Sequence, residues 1–325
     1  MRRRAFIAGL GAAAAWSLTV RAQGTRPVLG FLGSGSLGAF KPSMDGFVTA
    51  LKEGGFVEGQ SVTIEYRWAE GKFDRLPSLA AELAQRSVDA IMAAQGTVTA
   101  LAAKRVTQTI PIVFVTADDP VGAGLVASLA RPGGNVTGIS RLGTILGAKN
   151  VELIHQVVPS ASTIALLVNP NRPTVDAQRK TVQDAAATFG KTIRVLDGSS
   201  EAAIDASFQT IVSERIGALI VPFDAVFSIH RRQIIALAER HKIPAAYALR
   251  EFFLDGGLMS YGDSATETYA LAGTYIARIL KGAKPTDLPV QQAARLELAL
   301  NLKTAKSLGL DIPLPLLGRA DEVIE

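Results

Sequence analysis

The alternation of short apolar runs with amphipathic helical patterns is the feature that most constrains this chain. Leu76, Leu79, Ala80 and Leu83 show the helical spacing, which places their side chains on one face. Strands that are apolar on both faces and separated by helices form parallel sheets covered on both sides, so the sequence predicts a doubly wound α/β fold. The predicted strands are Val28 to Leu32, Val62 to Tyr66, Ala90 to Ala93, Ile112 to Val115, Val136 to Ile139, Ile164 to Val168, Ile193 to Leu196, Ala218 to Val221, Ala245 to Tyr247 and Leu258 to Ser260.

The number of strand–helix units indicates two domains. About five units precede residue 140 and about as many follow it, and 325 residues are enough for two cores. We therefore predict two Rossmann-like, doubly wound parallel-sheet lobes. The main alternative is an eight-stranded barrel, which needs eight regular units and a closing helix. This chain instead ends in a Leu-rich segment, Leu296 to Leu310, followed by Pro313 and Pro315.

The first 22 residues have the pattern of an export signal. Arg3 and Arg4 precede an apolar run, Ala8 to Val20, and a small-residue cleavage site that ends at Ala22. The sequence therefore predicts twin-arginine export, cleavage near Ala22 and a periplasmic location in a Gram-negative cell. The general secretory route remains the alternative. Because the chain has no cysteine, we expect no lipid anchor and no disulfide. The leader's apolar run is shorter than the roughly 20 residues that a membrane span needs, and no later segment is long and apolar enough, so we expect no direct membrane insertion.

The charge balance gives no indication of a nucleic-acid partner. Four arginines lie in the predicted leader, so removing the leader reduces the formal net charge from +5 to +1. A nucleic-acid-binding protein would keep a dense basic face. Here Lys and Arg alternate with Asp and Glu along the predicted helices, and we expect no nucleic-acid binding.

Polar side chains follow most of the predicted strands, where ligands bind in doubly wound sheets. They are hydroxyls, amides and carboxylates, with hardly a nucleophile–base pair among them, so we predict a ligand-binding site without catalytic residues, metal or cofactor. Asp118 and Asp119 could receive an ammonium group or cap the next segment. Tyr66, Trp68, Phe223, Phe227 and Tyr247 could supply an apolar wall or belong to the core. The predicted ligand-binding residues are Ser34, Gly35, Ser36, Gln95, Gly96, Thr97, Thr116, Asp118, Asp119, Asn169, Asn171, Asp224 and Tyr247.

The loop from Gly33 to Gly38 supports an alternative function. Its spacing matches the glycine fingerprint of dinucleotide-binding proteins, so a periplasmic nicotinamide-dependent oxidoreductase is possible. Two observations argue against it. Lys41 and Pro42 predict a helix that starts beyond Gly38, and the next strand ends too late to supply the acid that binds the ribose. The loop could also bind a small ligand through its hydroxyl and amide groups, or serve as a structural turn.

The Gly262-Asp263-Ser264 segment is similar to a serine-hydrolase block, but such an enzyme needs a histidine base within reach. His155, His230 and His241 lie in helical or helix-end patterns. We therefore predict that Asp263 or Ser264 caps a helix, as Ser199 or Ser200 does for an earlier one.

Several longer motifs resemble the ABC transporter substrate-binding proteins of the tryptophan and aromatic amino acid type. They are Phe56 to Gln60 with Ile64 to Gly71, Asp119 to Gly122 with Ser128 to Gly138, and the ending Ala320 to Ile324. The resemblance covers nearly the whole mature chain.

The resemblance implies the class I periplasmic binding protein fold, with two lobes joined by three hinge crossovers. It places residues 23–139 and about 258–288 in the first lobe, and residues 140–257 and about 289–325 in the second. It also implies a monomer that captures a small solute, such as an aromatic or branched amino acid. The partners would be an ABC permease and its ATPase subunits.

Overall fold

A computed structural model describes residues 26–141, 143–292 and 295–325 of the chain, so the predicted export signal lies outside the described residues. Strands and helices alternate as the sequence predicts. Two short 3₁₀ helices, Phe73–Arg75 and Pro285–Asp287, complete the structure. The elements in chain order are β1 (Val28–Gly33), α1 (Leu37–Glu53), β2 (Thr63–Trp68), α2 (Leu76–Gln85), β3 (Ala90–Ala94), α3 (Thr97–Val106), β4 (Ile112–Thr116), β5 (Val136–Ser140), α4 (Gly143–Val157), β6 (Thr163–Val168), α5 (Val175–Thr188), β7 (Thr192–Asp197), α6 (Glu201–Ser213), β8 (Ala218–Val221), α7 (Ala225–Ile229), α8 (Arg231–Arg240), β9 (Ala245–Tyr247), α9 (Arg250–Leu254), β10 (Met259–Asp263), α10 (Ala265–Leu280), β11 (Gln291–Gln292), β12 (Leu296–Asn301), α11 (Leu302–Ser307), α12 (Leu314–Leu317) and β13 (Glu322–Ile324).

The strands form two separate sheets, which confirms the predicted doubly wound fold and excludes the barrel. The first sheet has the order β11-β5-β4-β3-β1-β2, and all of its strand pairs are parallel. The second has the order β13-β12-β10-β9-β8-β6-β7, in which only β10 and β12 pair antiparallel. In each sheet the first strand of the lobe, β1 or β6, lies between the second strand, β2 or β7, and the third, β3 or β8. The direction in which successive strands are added therefore reverses at this point.

Each sheet is covered by helices on both faces, and the apolar side chains form two cores in each lobe. In the first lobe, α1 and α10 cover one face, where Phe40 meets Tyr269 edge to face with ring centroids 4.5 Å apart. Helices α2 and α3 cover the other face through Leu83 and Ala103. The second lobe repeats this arrangement, which explains why the central strands read as continuous apolar runs.

The chain passes between the two sheets three times, after β5, after β10 and after β11. Two strands belong to a different lobe from the one to which the sequence-based boundaries assign them. Strand β10, at residues 259–263, pairs with β9 and β12 in the second sheet, whereas β11, at residues 291–292, pairs with β5 in the first. We propose that the lobes exchange chain at residues 140–143, 263–265 and 292–296.

The helix starts follow the capping residues. Ser200 caps α6 and Ser264 caps α10, which confirms two of the predicted caps. The predicted start of α1 was wrong. Ser36 caps α1, so the helix begins at Leu37 and Pro42 lies inside it. The cap at Ser36 determines the start, and Pro42 removes only one hydrogen bond of the helix.

The Leu-rich tail contains more structure than the sequence indicates. Strand β12 and helix α11 divide it, and β13 adds an edge strand to the second sheet. In the part of the chain that the structure describes, no helix is both long and apolar enough to cross a membrane.

Candidate functional site

The carboxyl ends of both sheets face a common cleft, because parallel strands end at the same edge of a sheet. Between them lies a cavity of about 490 Å³. Its lining comes from the loops after β4, β6, β8 and β9, from strand β8, and from α3, α4 and α5. The lining residues are Thr97, Leu101, Ala117, Asp118, Asp119, Gly122, Ala123, Gly143, Leu146, Gly147, Asn150, Arg172, Pro173, Thr174, Ala177, Gln178, Thr181, Val182, Ile220, Pro222, Phe223 and Ala248.

The first-lobe wall carries a chain of hydroxyl groups that ends at a carboxylate. The Oγ1 atoms of Thr97 and Thr116 lie 2.6 Å apart, and the Thr97 hydroxyl donates to Asp118 Oδ2 at 2.6 Å. Burial alone would raise the pKa of Asp118. The Arg172 guanidinium and the hydrogen bonds from Thr97 and Arg172 outweigh burial and hold that pKa below its usual value. Asp118 is therefore ionised at neutral pH.

Arg172 of the second lobe reaches across the cleft to this carboxylate. Its Nη2 atom donates to Asp118 Oδ1 at 2.6 Å, and its Nη1 atom donates to the carbonyl oxygen of Phe223. A second carboxylate oxygen, Oδ2 of Asp224, lies 3.8 Å from Nη1. One cation thus lies between two carboxylates.

The side chain of Asp224 accepts its hydrogen bonds from residues of its own, second lobe. Its Oδ1 atom accepts hydrogen bonds from the Val226 amide at 2.8 Å, which caps α7, and from Asn169 Nδ2 at 3.2 Å. Burial raises the pKa of Asp224, and the favourable contact with Arg172 offsets this only in part. Asn169 Oδ1 accepts from the Asn171 amide at 3.1 Å and so fixes the turn after β6.

Gln95 holds the loop after β1. The Gly35 amide donates to Gln95 Oε1 at 2.8 Å, and the Ser34 hydroxyl donates to the Gln95 carbonyl at 2.9 Å. A Cβ at Gly35 would lie 2.8 Å from Gln95 Nε2, so a side chain there would have to displace the Gln95 amide from this hydrogen bond. The amide that a pyrophosphate would need is already bonded, which argues against dinucleotide binding by this loop although Gly38 does lie inside α1.

Arg141 joins two of the segments that connect the lobes. It follows β5, and its Nε atom donates to both carboxylate oxygens of Asp263, at the end of β10. Burial alone would lower the pKa of Arg141, but Asp263 outweighs it and the pKa is raised. The guanidinium carbon lies 4.9 Å from the ring centroid of Phe223. Phe223 also separates the main cavity from a smaller polar one of about 20 Å³.

The structure brings most of the predicted site residues to the cleft, in two layers. Thr97, Asp118 and Asp119 line the main cavity. Behind them, the residues that hold this lining in place are Ser34, Gly35, Gln95, Gly96, Thr116, Asn169 and Asp224.

Three predicted residues lie elsewhere. Ser36 caps α1, and Asn171 lines an outer groove beside Lys72 and Arg105. Tyr247 is only 1% exposed, and its ring stacks on Phe252 inside a core of the second lobe. The prediction for Tyr247 is therefore corrected, because side chains alternate in direction along a strand and this one points into the core.

Sequence reasoning missed both buried arginines of the site. Arg141 and Arg172 each lie within four residues after a strand, which is the signal that selected the other candidates. Asn150 of α4 was also missed. Its Oδ1 atom is buried beside the cavity and accepts no hydrogen bond from the described residues. Within those same residues, no cluster of three or more His, Asp or Glu side chains could hold a metal ion.

Two α/β lobes with a cavity between the ends of their sheets define a two-lobed solute-binding protein, and the fold is that of the class I periplasmic binding proteins. Residues 36–324 match the family model described as "ABC transporter substrate binding protein". The chain belongs to that family.

Three relatives are similar over most of their length. A tyrosine-binding protein of Clostridioides difficile (strain R20291) is 28% identical over 271 residues, which cover 82% of this chain and 77% of the relative. The structure of an ABC domain from Streptococcus pneumonia in complex with L-Trp is 26% identical, covers 92% of this chain and 100% of its own, and gives a TM-score of 0.83. The ligand-free, open structure of a substrate-binding protein with adhesive properties from Clostridium difficile is also 26% identical. It covers 92% of this chain and 99% of its own, with a TM-score of 0.64.

Proposed function

We propose that this protein captures an aromatic or branched amino acid, or a closely related solute, between its lobes and delivers it to the permease of an ABC importer. The observation that carries the proposal is the cavity of about 490 Å³ that both lobes line. Its volume lies within the range of about 300 to 1,000 Å³ typical of small-molecule sites.

The cavity has a charged end and an apolar remainder. Asp118, Asp119 and Arg172 lie at the charged end, where two carboxylates outnumber one guanidinium, so an ammonium group would be favourable there. The apolar part suits a ring or a branched side chain. Its larger residues are Leu101, Leu146, Val182, Ile220 and Phe223. One relative described as a tyrosine-binding protein and another solved in complex with L-Trp support this ligand class.

We infer that binding works by closure of the lobes. The structure agrees better with the tryptophan complex, at a TM-score of 0.83, than with the ligand-free, open structure, at 0.64. Sequence identity and coverage of this chain are equal in the two comparisons, which favours a difference in lobe arrangement as the cause. A ligand stabilises the closed form only through its better contacts there.

No chemistry is part of this proposal. His155, His230 and His241 do not line the cavity, and His155 packs on Phe189 in the second lobe. The proposed location is the periplasm, after export through the twin-arginine signal and cleavage near Ala22. The protein would act there as a monomer, and the partners would be a membrane permease and its ATPase subunits.

The experiment is a calorimetric and thermal-shift screen of the refolded protein. L-tryptophan, L-tyrosine, L-phenylalanine and L-leucine are compared with their D-enantiomers and with the acids that lack the amino group. We expect at least one L-amino acid to raise the unfolding temperature without being consumed, because a ligand that binds only the folded state adds RT ln(1 + [L]/Kd) to stability. Equal binding of the des-amino acids would refute the ammonium assignment, and turnover of any compound would refute the binding-protein assignment.

A further inference from the structure

One ion pair joins the two lobes directly, although its partners are 54 residues apart in sequence. Asp118 follows β4 of the first sheet, and Arg172 lies between β6 and α5 in the second lobe. The distance from Arg172 Nη2 to Asp118 Oδ1 is 2.6 Å, and both side chains are at least nine-tenths buried. No single lobe contains both partners, so the pair exists only when the lobes are together.

Each partner is held in place by its own lobe. The Thr97 hydroxyl and the Thr116 Oγ1 atom fix Asp118, the latter by accepting the Asp118 amide at 3.1 Å. The Phe223 carbonyl and Asp224 hold Arg172. The two charged groups are therefore oriented toward each other before the lobes meet, which reduces the entropy cost of forming the pair.

An aromatic side chain covers this pair on one side. Phe73 of the first lobe packs against apolar cores of both lobes. Together with Val98 and Pro173, it lies between the ion pair and an outer groove of about 530 Å³. The space left on the inner side is about 10 Å³, no more than one water molecule needs.

The chain next to Phe73 fits closely against the second lobe. At Gly71, with φ of +77°, a Cβ would lie 3.2 Å from Cδ1 of Ile229 in α7. The segment from Gly71 to Phe73 thus reaches over the edge of the second lobe. Excluding water in this way strengthens the attraction between the charges and shields it from salt.

We propose that Asp118, Arg172 and Phe73 form a latch that holds the lobes together and sets the ratio of closed to open protein independently of the bound solute. Arg172 acts on closure because its guanidinium is engaged by groups of the protein on both sides of the cleft. In the open form water solvates both charges, so the gain on closing is limited by the cost of removing that water. A latch of this kind closes the cleft and still lets it reopen.

The test measures lobe separation in protein from which solute has been removed by unfolding and refolding. The chain has no cysteine, so cysteines introduced at two exposed positions, Ala127 in the first lobe and Lys180 on α5, are unique sites for spin labels. Distances are then measured by pulsed electron resonance. We expect Asp118→Asn and Arg172→Gln each to lower the closed-to-open ratio by about tenfold, the scale of close charge pairs across interfaces.

Three further variants test whether the effect belongs to this ion pair. Arg172→Lys keeps the charge and should lower the ratio less than Arg172→Gln. The double variant should do no more than either single variant, because both remove the same pair. The matched control is Arg194→Gln, which breaks an exposed ion pair with Glu214 within the second lobe and should leave the distances unchanged.

Phe73→Ala tests separately whether the Phe73 ring shields the ion pair from solvent. In the unmodified protein the closed fraction should change little between low and high salt, whereas in Phe73→Ala it should fall as salt rises. The latch is refuted if both charge variants keep the distances of the unmodified protein while unfolding normally, or if the control shifts them equally. Because no solute is present, either result is independent of the proposed ligand class.

Discussion

A Cβ atom at Gly143 would lie 2.4 Å from the carbonyl oxygen of Ala117, so glycine is required for this approach of α4 to the loop after β4. The contact joins the start of the second lobe to the cleft edge of the first. Both residues line the main cavity. The two lobes can approach this closely because Gly143, at the start of the second lobe, has no side chain.

Replacing Gly143 by Ala should therefore weaken ligand binding and lower the unfolding temperature. A methyl group at this distance must displace backbone, and forced overpacking costs about 1–3 kcal/mol. Calorimetric titration and thermal unfolding measure the two effects. Gly38→Ala is the matched control, because a Cβ there meets nothing within 4 Å and should leave both quantities unchanged or slightly improved. Unchanged binding and stability in Gly143→Ala would contradict the prediction.

Acid should weaken the structure through Asp118. The pKa of this carboxyl is lowered in the folded protein, so its contribution to stability is present above the unfolded pKa, 3.8, and is lost as pH falls through the folded value. Arg172, Asp224 and the Thr97 hydroxyl face it. The raised pKa of Asp224 acts in the opposite direction, because the folded protein takes up that proton first.

Urea unfolding between pH 3 and pH 7 checks this prediction. Asp118→Asn should show a smaller loss of unfolding free energy on acidification than the unmodified protein. Asp224→Asn should show a larger one, since it removes the group whose protonation favours the folded state. Identical pH profiles for all three proteins would mean that these charges do not control acid stability.

Removing the ring of Phe223 should affect the ligand more than the fold. Phe223 is only partly buried, lines the main cavity and lies over the Arg141 guanidinium. Phe223→Ala should weaken binding of an aromatic ligand by about tenfold or more, given that aromatic pairs contribute about 0.5–1.5 kcal/mol beyond area burial. Phe223→Tyr keeps the ring and serves as the control. Titration with the best ligand from the screen would show whether the two variants differ.

Tyr247 should be important for stability and not for binding. Its ring is stacked on Phe252 in the core, so Tyr247→Ala should destabilise the protein by about 3–5 kcal/mol, as large-to-small core substitutions of aromatic residues do. Ligand affinity, measured well below the unfolding temperature, should stay that of the unmodified protein. A loss of affinity in the folded variant would place Tyr247 at the site after all.

The predicted export route can be tested by changing the twin arginines of the leader. Replacing Arg3 and Arg4 together by Lys keeps the charge but removes the pair that the twin-arginine translocon recognises. We expect the variant to accumulate in the cytoplasm, as fractionation and immunoblotting would show. Undiminished periplasmic accumulation would indicate the general secretory route.

The sequence was sufficient to predict the fold because each central strand is apolar on both faces. Strands such as Ala90–Ala94 and Ile112–Thr116 are buried throughout, and their apolar runs mark them directly. Strand β11 could not be predicted in the same way. It consists of two exposed glutamines, Gln291 and Gln292, which pair with β5 at the edge of the first sheet after about 150 intervening residues, and no local apolar pattern marks them.

The site was predictable by position and less so by role. Asp118 was selected because it follows a strand, but its partner depends on how the two sheets face each other, which no local pattern records. Asp224 and Asn169 were selected because they follow strands, and both lie behind the cavity lining. Their bonds to Val226 and to each other show that they support the cleft from behind.

Helix α10 packs on α1, so the first lobe lacks one face of its core until residues 265–280 are available. On the ribosome, the whole stretch from β6 to β10 is synthesised before that helix emerges. At typical rates of elongation this delay is on the order of ten seconds. The lobe that is synthesised first thus waits through this interval for one face of its core, and a chaperone would meet its uncovered Phe40 and Phe47 while much of the other lobe is already synthesised.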